Sequence, residues 1–303
     1  MSFFKLYGGA VEVKFYEKSH AYYVSVNGGK WARKGGVTTI IGIKDKSKPL
    51  GIWQQRLTAK YLLDSLDAGK TIDRDIAISA VIQCDIVRDE AADIGKEIHA
   101  WCEHYIRHDL GQKGYEKLPP IPNFPEAQTG VASFMDWIKE NKIKFHSTER
   151  VVYSKKHDYI GQMDFEATFK GKRCLGDFKS SNGLYNGVRM QTAAYAMADM
   201  EERGASFKGY DGRLAVRLSK FTEAEYYKQE SEKELIKKEI ARVKGTEYKE
   251  YPPKPYQVFE WVYLDNDPKS MKEDYDVFLG CKKLAEWNYR TDPFTNRALN
   301  GSL

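Results

Sequence analysis

Cysteine is scarce in this 303-residue chain. Its four copies, Cys84, Cys102, Cys174 and Cys281, are widely scattered and form no CxxC pair. That spacing argues against a zinc ribbon and hints at no disulfide framework; reduced, buried thiols in a cytoplasmic protein are the expectation. Long apolar runs are missing too, since stretches such as Val37–Ile43 fall far short of a membrane span. Met1–Ala10 lacks an apolar core followed by a cleavage site, so no signal peptide is expected. There is no Gly-x-x-x-x-Gly-Lys-Ser/Thr loop to cradle nucleotide phosphates, which excludes an ATP-driven motor within the chain. Internal repeats and low-complexity tails are absent as well.

What remains is the composition of a folded chain, 42% hydrophobic, 30% charged and 13% aromatic, with ample length for a large core. The net charge of +5 is modest, but it is unevenly spread. Gly28–Lys60 holds eight bases and a single acid, Asp45, which leaves the rest of the chain slightly acidic. A basic patch of this density suits a polyanion such as nucleic acid, against the plain alternative of a solvated surface. Lys30, Arg33, Lys34, Lys44, Lys46 and Lys48 are its candidate backbone contacts. Trp31 and Trp53 within it could stack on bases or pack in the core.

Alternation predicts paired strands at Val11–Tyr16 and Ala21–Val26. Thr38 or Thr39 could cap a short helix running into Ile43, followed by a helix over Leu50–Leu66 and a long or broken one over Asp73–His108. Four prolines within Leu118–Pro125 require an extended linker. Pro125 then suits the first position of a helix through about Asn141. Three strand-like runs follow, Lys144–Ser154, Tyr159–Phe169 and Arg173–Ser180, the last two joined by a tight turn at Lys170-Gly171-Lys172. The remainder reads as a helix over Val188–Arg203, a strand over Gly212–Leu218, a charged helix over Phe221–Val243, an aromatic strand over Tyr256–Leu264 and a last helix over Lys269–Asn288.

Chemistry concentrates at that turn. Asp177 and Lys179 share one face of their strand, because side chains alternate. With the turn centred near Gly171, Asp164 falls opposite Asp177 or Lys179 on the same face. Two carboxylates and an ammonium converging on one patch would cost several kcal/mol in desolvation without a partner. A hard divalent cation with oxygen ligands from both aspartates removes that penalty. Five acid-x-Lys triplets occur, but only the one at Asp177 follows a Gly-x-x-Asp strand across a tight turn. Upstream, His99 sits beside the helical stripe Ile94, Ile98, Trp101 and Tyr105, with Gly95 one turn before it leaving room for the ring. Gln191 and Tyr195 lie four apart on the following helix. Glu149 is an acid among apolar residues one strand ahead of the hairpin.

The ordered series His99, Glu149, Gly161-x-x-Asp164, Asp177-x-Lys179 and Gln191-x-x-x-Tyr195 resembles the PD-(D/E)XK nuclease superfamily, in its RecB-like exonuclease branch. The likeness spans roughly Val37 to Leu218, and the "VTTIIG" run and the His99 helix look like those of phage and viral members. It implies an α/β (α+β) fold with a restriction-endonuclease-like core, a mixed sheet flanked by helices. Residues 1–118 would form an N-terminal hairpin and helical region, 119–220 the nuclease core, and 221–303 a helix–strand–helix extension packed on it. It further implies that Asp164, Asp177 and the backbone carbonyl of Phe178 bind one or two Mg²⁺ or Mn²⁺ ions, with His99 as an added ligand. Lys179 would position or activate the attacking water, Glu149 would support the metal or the base, and Gln191 and Tyr195 would organise the site near the phosphate.

The activity so implied is a metal-dependent DNA exonuclease of phage or viral recombination or genome processing, in the cytoplasm, acting on DNA ends beside a single-strand annealing or recombination protein. A structure- or site-specific endonuclease, a catalytically silent DNA-binding protein and an RNA-processing enzyme are the alternatives. The chain departs from Glu-x-Lys in carrying Asp-x-Lys, which still offers a hard ligand. Some relatives hold an iron–sulfur cluster on one Cys before the histidine helix and three near the C-terminus. Here only Cys281 lies in the C-terminal region, so no cluster is expected.

Overall fold

The computed structural model of the protein describes residues 1–291. Among these, seven α-helices and two β-sheets make a mixed α/β architecture. The first sheet is an antiparallel meander of β1 (Ser2–Leu6), β2 (Val11–Tyr16), β3 (Ala21–Val26) and β4 (Ala32–Lys34). β2 and β3 coincide with the expected pair. β1 and β4 are too short and too exposed to carry a period-two signal of their own, and pairing alone defines them.

Then come α1 (Val37–Ile41), α2 (Ser47–Asp67), α3 (Arg74–Asp109) and α4 (Pro125–Asn141). The expected threonine cap of α1 is not formed: the helix starts at Val37 after Gly36, and Thr38 and Thr39 lie inside it. Burial decides this, because a start at Val37 puts Val37, Ile40 and Ile41 on one buried side. α3 is a single 36-residue helix whose first turn is capped by the Asp73 carboxylate on Ile76 N–H. α4 begins at Pro125, as expected.

The second sheet runs β5 (Lys144–Ser154), β6 (Tyr159–Phe169), β7 (Lys172–Lys179), β8 (Gly212–Leu218) and β9 (Phe259–Asp265), in that spatial order. β7 and β8 are parallel and every other neighbouring pair is antiparallel. A parallel pair needs a crossover, supplied by α5 (Gly187–Arg203). α6 (Glu223–Lys244) lies between β8 and β9, and α7 (Pro268–Thr291) follows. α6 starts later than the sequence suggests because Thr222 and Glu225 form a reciprocal capping box that sets its first turn.

Helices cover the second sheet on both sides. Cys174 and Phe178 of β7 pack with Ile98 of α3 and with Phe134 and Trp137 of α4, while Leu175 packs with α1, α5 and Phe278 of α7. The N-terminal sheet closes a third cluster, Val11, Val13 and Val24 against Val151, Tyr153 and Ile160. Ile160 N–H donates to Gly35 O at 3.1 Å, and Lys34 pairs with Asp158 at 2.8 Å. These contacts carry the first sheet and α1 to the rim of the second sheet. Among the described residues, no helix is long and apolar enough to cross a membrane.

Candidate active site

The β6–β7 hairpin turns through Lys170 (φ 48°) and Gly171 (φ 77°), with Phe169 paired to Lys172. Two left-handed residues in a two-residue loop match the strand twist and lock the register. Pairing runs to Phe165↔Gly176, so Asp164 and Asp177 come next, opposite each other. The ladder opens at that point. Phe178 N–H donates to Asp164 Oδ2 at 2.7 Å rather than to a backbone carbonyl. The Phe178 ring meanwhile anchors the strand in the core against Phe165, Trp137 and Phe134.

His99, Glu149, Asp164, Asp177, Lys179, Gln191 and Tyr195 all line one cavity of about 250 Å³. Asp177 is 2% exposed. Its Oδ1 accepts from Gln191 Nε2 at 2.7 Å. Its Oδ2 accepts no well-aligned hydrogen bond and is instead ion-paired with Lys179 Nζ at 2.5 Å. Lys179 also donates to Gln191 Oε1 at 3.1 Å, and Gln191 donates to Tyr195 Oη at 3.0 Å. One turn of α5 therefore supplies both residues, and the Gln191 amide holds the Asp-x-Lys pair from each end. His99 Nδ1 stands 3.4 Å from Asp164 Oδ2.

Gly161 has a steric reason to be glycine: a Cβ there would fall 2.4 Å from Tyr195 Cε1 and 3.0 Å from Val37 Cγ2. Gly95 acts differently from expectation. A Cβ on it would lie 2.8 Å from Ser180 Oγ, so its small size admits the end of the Asp-x-Lys strand and not the His99 ring.

Charge is crowded here. Burial, the neighbouring Asp177 carboxylate and incomplete relief from His99 and Lys179 push Asp164 up to about 6. Glu149 rises to about 9, through burial first and then Asp164. Lys179 is disfavoured by burial, yet Asp177 and Asp164 outweigh this and hold its ammonium above the usual range. Burial, reinforced by Asp177, lifts the Tyr195 phenol well above its ordinary value. The pattern is that of carboxylates short of positive charge.

Glu149, an acid among apolar residues in the sequence, reaches the cavity through an irregularity of β5, and several further residues there carry no clear signal in the sequence. Glu149 falls between the pairs Thr148↔Phe165 and Arg150↔Met163, with a left-handed φ of 51°, and so faces Asp164. Its Oε2 accepts from Gln162 Nε2 at 2.7 Å, and Tyr22 Oη donates to Gln162 Oε1 at 3.3 Å. The polar alternation Gln162, Asp164, Glu166 was the one available hint for Gln162. His20, Tyr22, Thr38 and Thr39 also line the cavity, brought there by the N-terminal sheet and α1. No local pattern reports them.

The basic candidates separate. Lys30, Arg33, Lys44, Lys46 and Lys48 are exposed, and Lys46 lines a second cavity beside the first. Lys34 is half-buried and committed to Asp158. Trp31 is not a core residue: it is exposed, with Lys14 Nζ 4.0 Å above its ring.

Asp164, Asp177 and Glu149 offer oxygen donors and His99 a nitrogen. Among the described residues, no group of three or more His, Cys, Asp or Glu side chains is arranged as a ready cage for a metal ion. The lone pairs of the two aspartates are turned to Lys179, Gln191 and the Phe178 amide instead. Compared with known proteins, the chain matches no family model and no curated protein.

Proposed function

We propose that this chain is a divalent-metal-dependent DNA exonuclease built on a restriction-endonuclease-like core of the PD-(D/E)XK type. The observation that carries the reading is the Asp177–Lys179 pair, bridged by Gln191, in one cavity with Asp164 across the hairpin. Two antiparallel pairs, a parallel pair with a helical crossover, and a helix packed on the opposite side are the arrangement such a core needs.

The donor set fits Mg²⁺ or Mn²⁺. Both ions take hard oxygen ligands, and Mg²⁺ in particular is held by one or two carboxylates with waters and substrate phosphate completing the shell. A site of that kind needs no protein cage, and a cation beside Asp164 and Glu149 would relieve the burial and mutual repulsion that raise both. Asp164, Asp177 and the Phe178 carbonyl would hold the ion, with His99 beside Asp164. The bound cation supplies charge for the attacking water and the phosphate. Asp177 and Asp164 favour the Lys179 ammonium, which suits it as donor and counter-charge to the phosphate oxygens. Gln191 fixes the Lys179 head group, and Tyr195 fixes Gln191. The exposed bases Lys30, Arg33, Lys44, Lys46 and Lys48 provide the path for the phosphate backbone.

The test is a gel time course on linear and covalently closed DNA, duplex and single-stranded, in Mg²⁺, Mn²⁺ or EDTA, beside Asp177→Asn. Metal-dependent loss of linear DNA alone, absent in the variant, is expected. Cutting of closed circles would replace exonuclease by endonuclease, and cleavage undiminished in Asp177→Asn would remove the assigned site.

A further inference from the structure

A second cavity, of about 230 Å³, opens beside the first and shares Thr38, Lys179 and Gln191 with it. Its walls are largely apolar. Ile41 of α1 and Val188 of α5 face each other there, and Gly183 and Gly187 leave backbone bare. Tyr185 stands at its edge with 69% of its surface exposed, and Lys46 lies on its rim.

The walls are held in place. Ser181 Oγ donates to Gly183 O at 2.8 Å, and Val188 N–H donates to Tyr185 O at 3.0 Å, tying the loop to the first turn of α5. Tyr185 therefore presents a side chain that is mostly uncovered from a pinned stretch of backbone, its ring tip beside Gly183. The space beside Gly187 is open: a Cβ there would reach only ordinary contact with Ile41, at 3.7 Å.

We propose that this cavity is a nucleobase subsite, taking the base next to the scissile phosphate by stacking on Tyr185, with Lys46 against the adjoining phosphate. The inference rests on the nuclease reading and adds to it where the strand is gripped. The occupant is defined by the chemistry of the walls. A flat ring with apolar faces matches Tyr185, Ile41 and Val188, a negative link matches Lys46, and the shared residues Lys179 and Gln191 put the two cavities one step apart along a backbone. The Ser181 hydroxyl is already donated to Gly183 O. Stacking on Tyr185 uses the π-face that every base presents, so this grip tolerates any sequence.

The test uses the full chain in EDTA, where no cleavage occurs, with oligonucleotides carrying 2-aminopurine at successive positions from the end. Quenching confined to one position is expected, lost in Tyr185→Ala and in the cavity-filling Gly187→Leu, and restored in Tyr185→Phe. Tyr185 is exposed, so its truncation leaves folding intact even where Gly187→Leu does not. On cleavable DNA in Mg²⁺, Tyr185→Ala should lower kcat/KM roughly tenfold to a hundredfold, from the usual worth of one base stack, and an abasic residue at the quenched position should erase that difference. Quenching that is absent from wild type, unchanged in Tyr185→Ala or equally lost in Tyr185→Phe overturns the subsite. Failure of the nuclease reading shows separately, as no metal-dependent cleavage by wild type whatever the fluorescence reports.

Discussion

Glu149→Gln should stabilise the metal-free protein at neutral pH, although it removes a site carboxylate. In the fold Glu149 faces Asp164, and its carboxylate accepts one hydrogen bond, from Gln162 Nε2, which also reaches the Glu149 backbone carbonyl. Burial, then Asp164, Glu103 and Asp177 against the opposing pull of Arg107, raise it from 4.5 to about 9. The sign follows from linkage. Below about pH 4.5 the group is protonated in the folded and unfolded chains alike and costs nothing. Between there and about 9 the fold retains a proton that the unfolded chain releases, so stability falls as pH rises, at about 1.4 kcal/mol per unit. Taken to pH 7 this amounts to about 3 kcal/mol, which partial exposure to the cavity reduces to about 2 kcal/mol. Glutamine has the same shape, carries no charge, and can pair with the Gln162 amide. Urea unfolding in EDTA from pH 4.5 to 8.5 should therefore show the variant more stable by about 2 kcal/mol near neutrality, with the gap closing toward pH 4.5. Mg²⁺ should shrink the gap from the wild-type side. A gap independent of pH, or a variant less stable throughout, would refute the argument that this carboxylate is short of positive charge.

Gly161→Ala places a methyl 2.4 Å from the Tyr195 ring and 3.0 Å from Val37. Overpacking of this kind costs about 1–3 kcal/mol. Because Tyr195 must move and takes Gln191 with it, cleavage should fall further than the thermal midpoint does; full activity would show that the Gln191–Tyr195 contact is dispensable. For the basic patch, Lys30→Ala with Arg33→Ala should lower the salt dependence of DNA binding by about two ions, whereas Lys34→Ala should lower stability and leave that slope nearly unchanged, since its ammonium is spent on Asp158. An equal slope change for Lys34→Ala would put that residue on the DNA path.

Much of the site is legible in the chain because it is local. The spacing from Gly161 to Lys179 sets two strands and a tight turn, and strand alternation puts Asp164 on the face of Asp177 and Lys179; the register of the folded hairpin then selects Asp177 as its neighbour. Helical periodicity likewise places Gln191 and Tyr195 one turn apart on α5. The Pro125 start of α4 and the succession of helices and strands along the chain follow from the same short-range rules, whereas the unbroken α3 and the placing of β8 parallel beside β7 belong to the folded structure. Charge counting along the sequence found the basic segment and left one question open, which of its members are free.

Tertiary structure decided the rest, wherever residues distant in sequence had to meet. The short edge strands β1 and β4 exist only through their partners. Burial of Val37, Ile40 and Ile41 overrode the capping preference of Thr38 and Thr39, and a neighbouring acid withdrew Lys34 from the patch. Gly95 serves Ser180 across the interior, a contact invisible from its own helix. Most of all, Glu149 owes its weakened acidity to burial, in a cavity also lined by His20 and Tyr22 from the N-terminal region, and then to the Asp164 carboxylate on the adjacent strand. Local propensity acts over a few bonds, while desolvation and charge repulsion depend on everything within several ångströms, and only folding determines what that is.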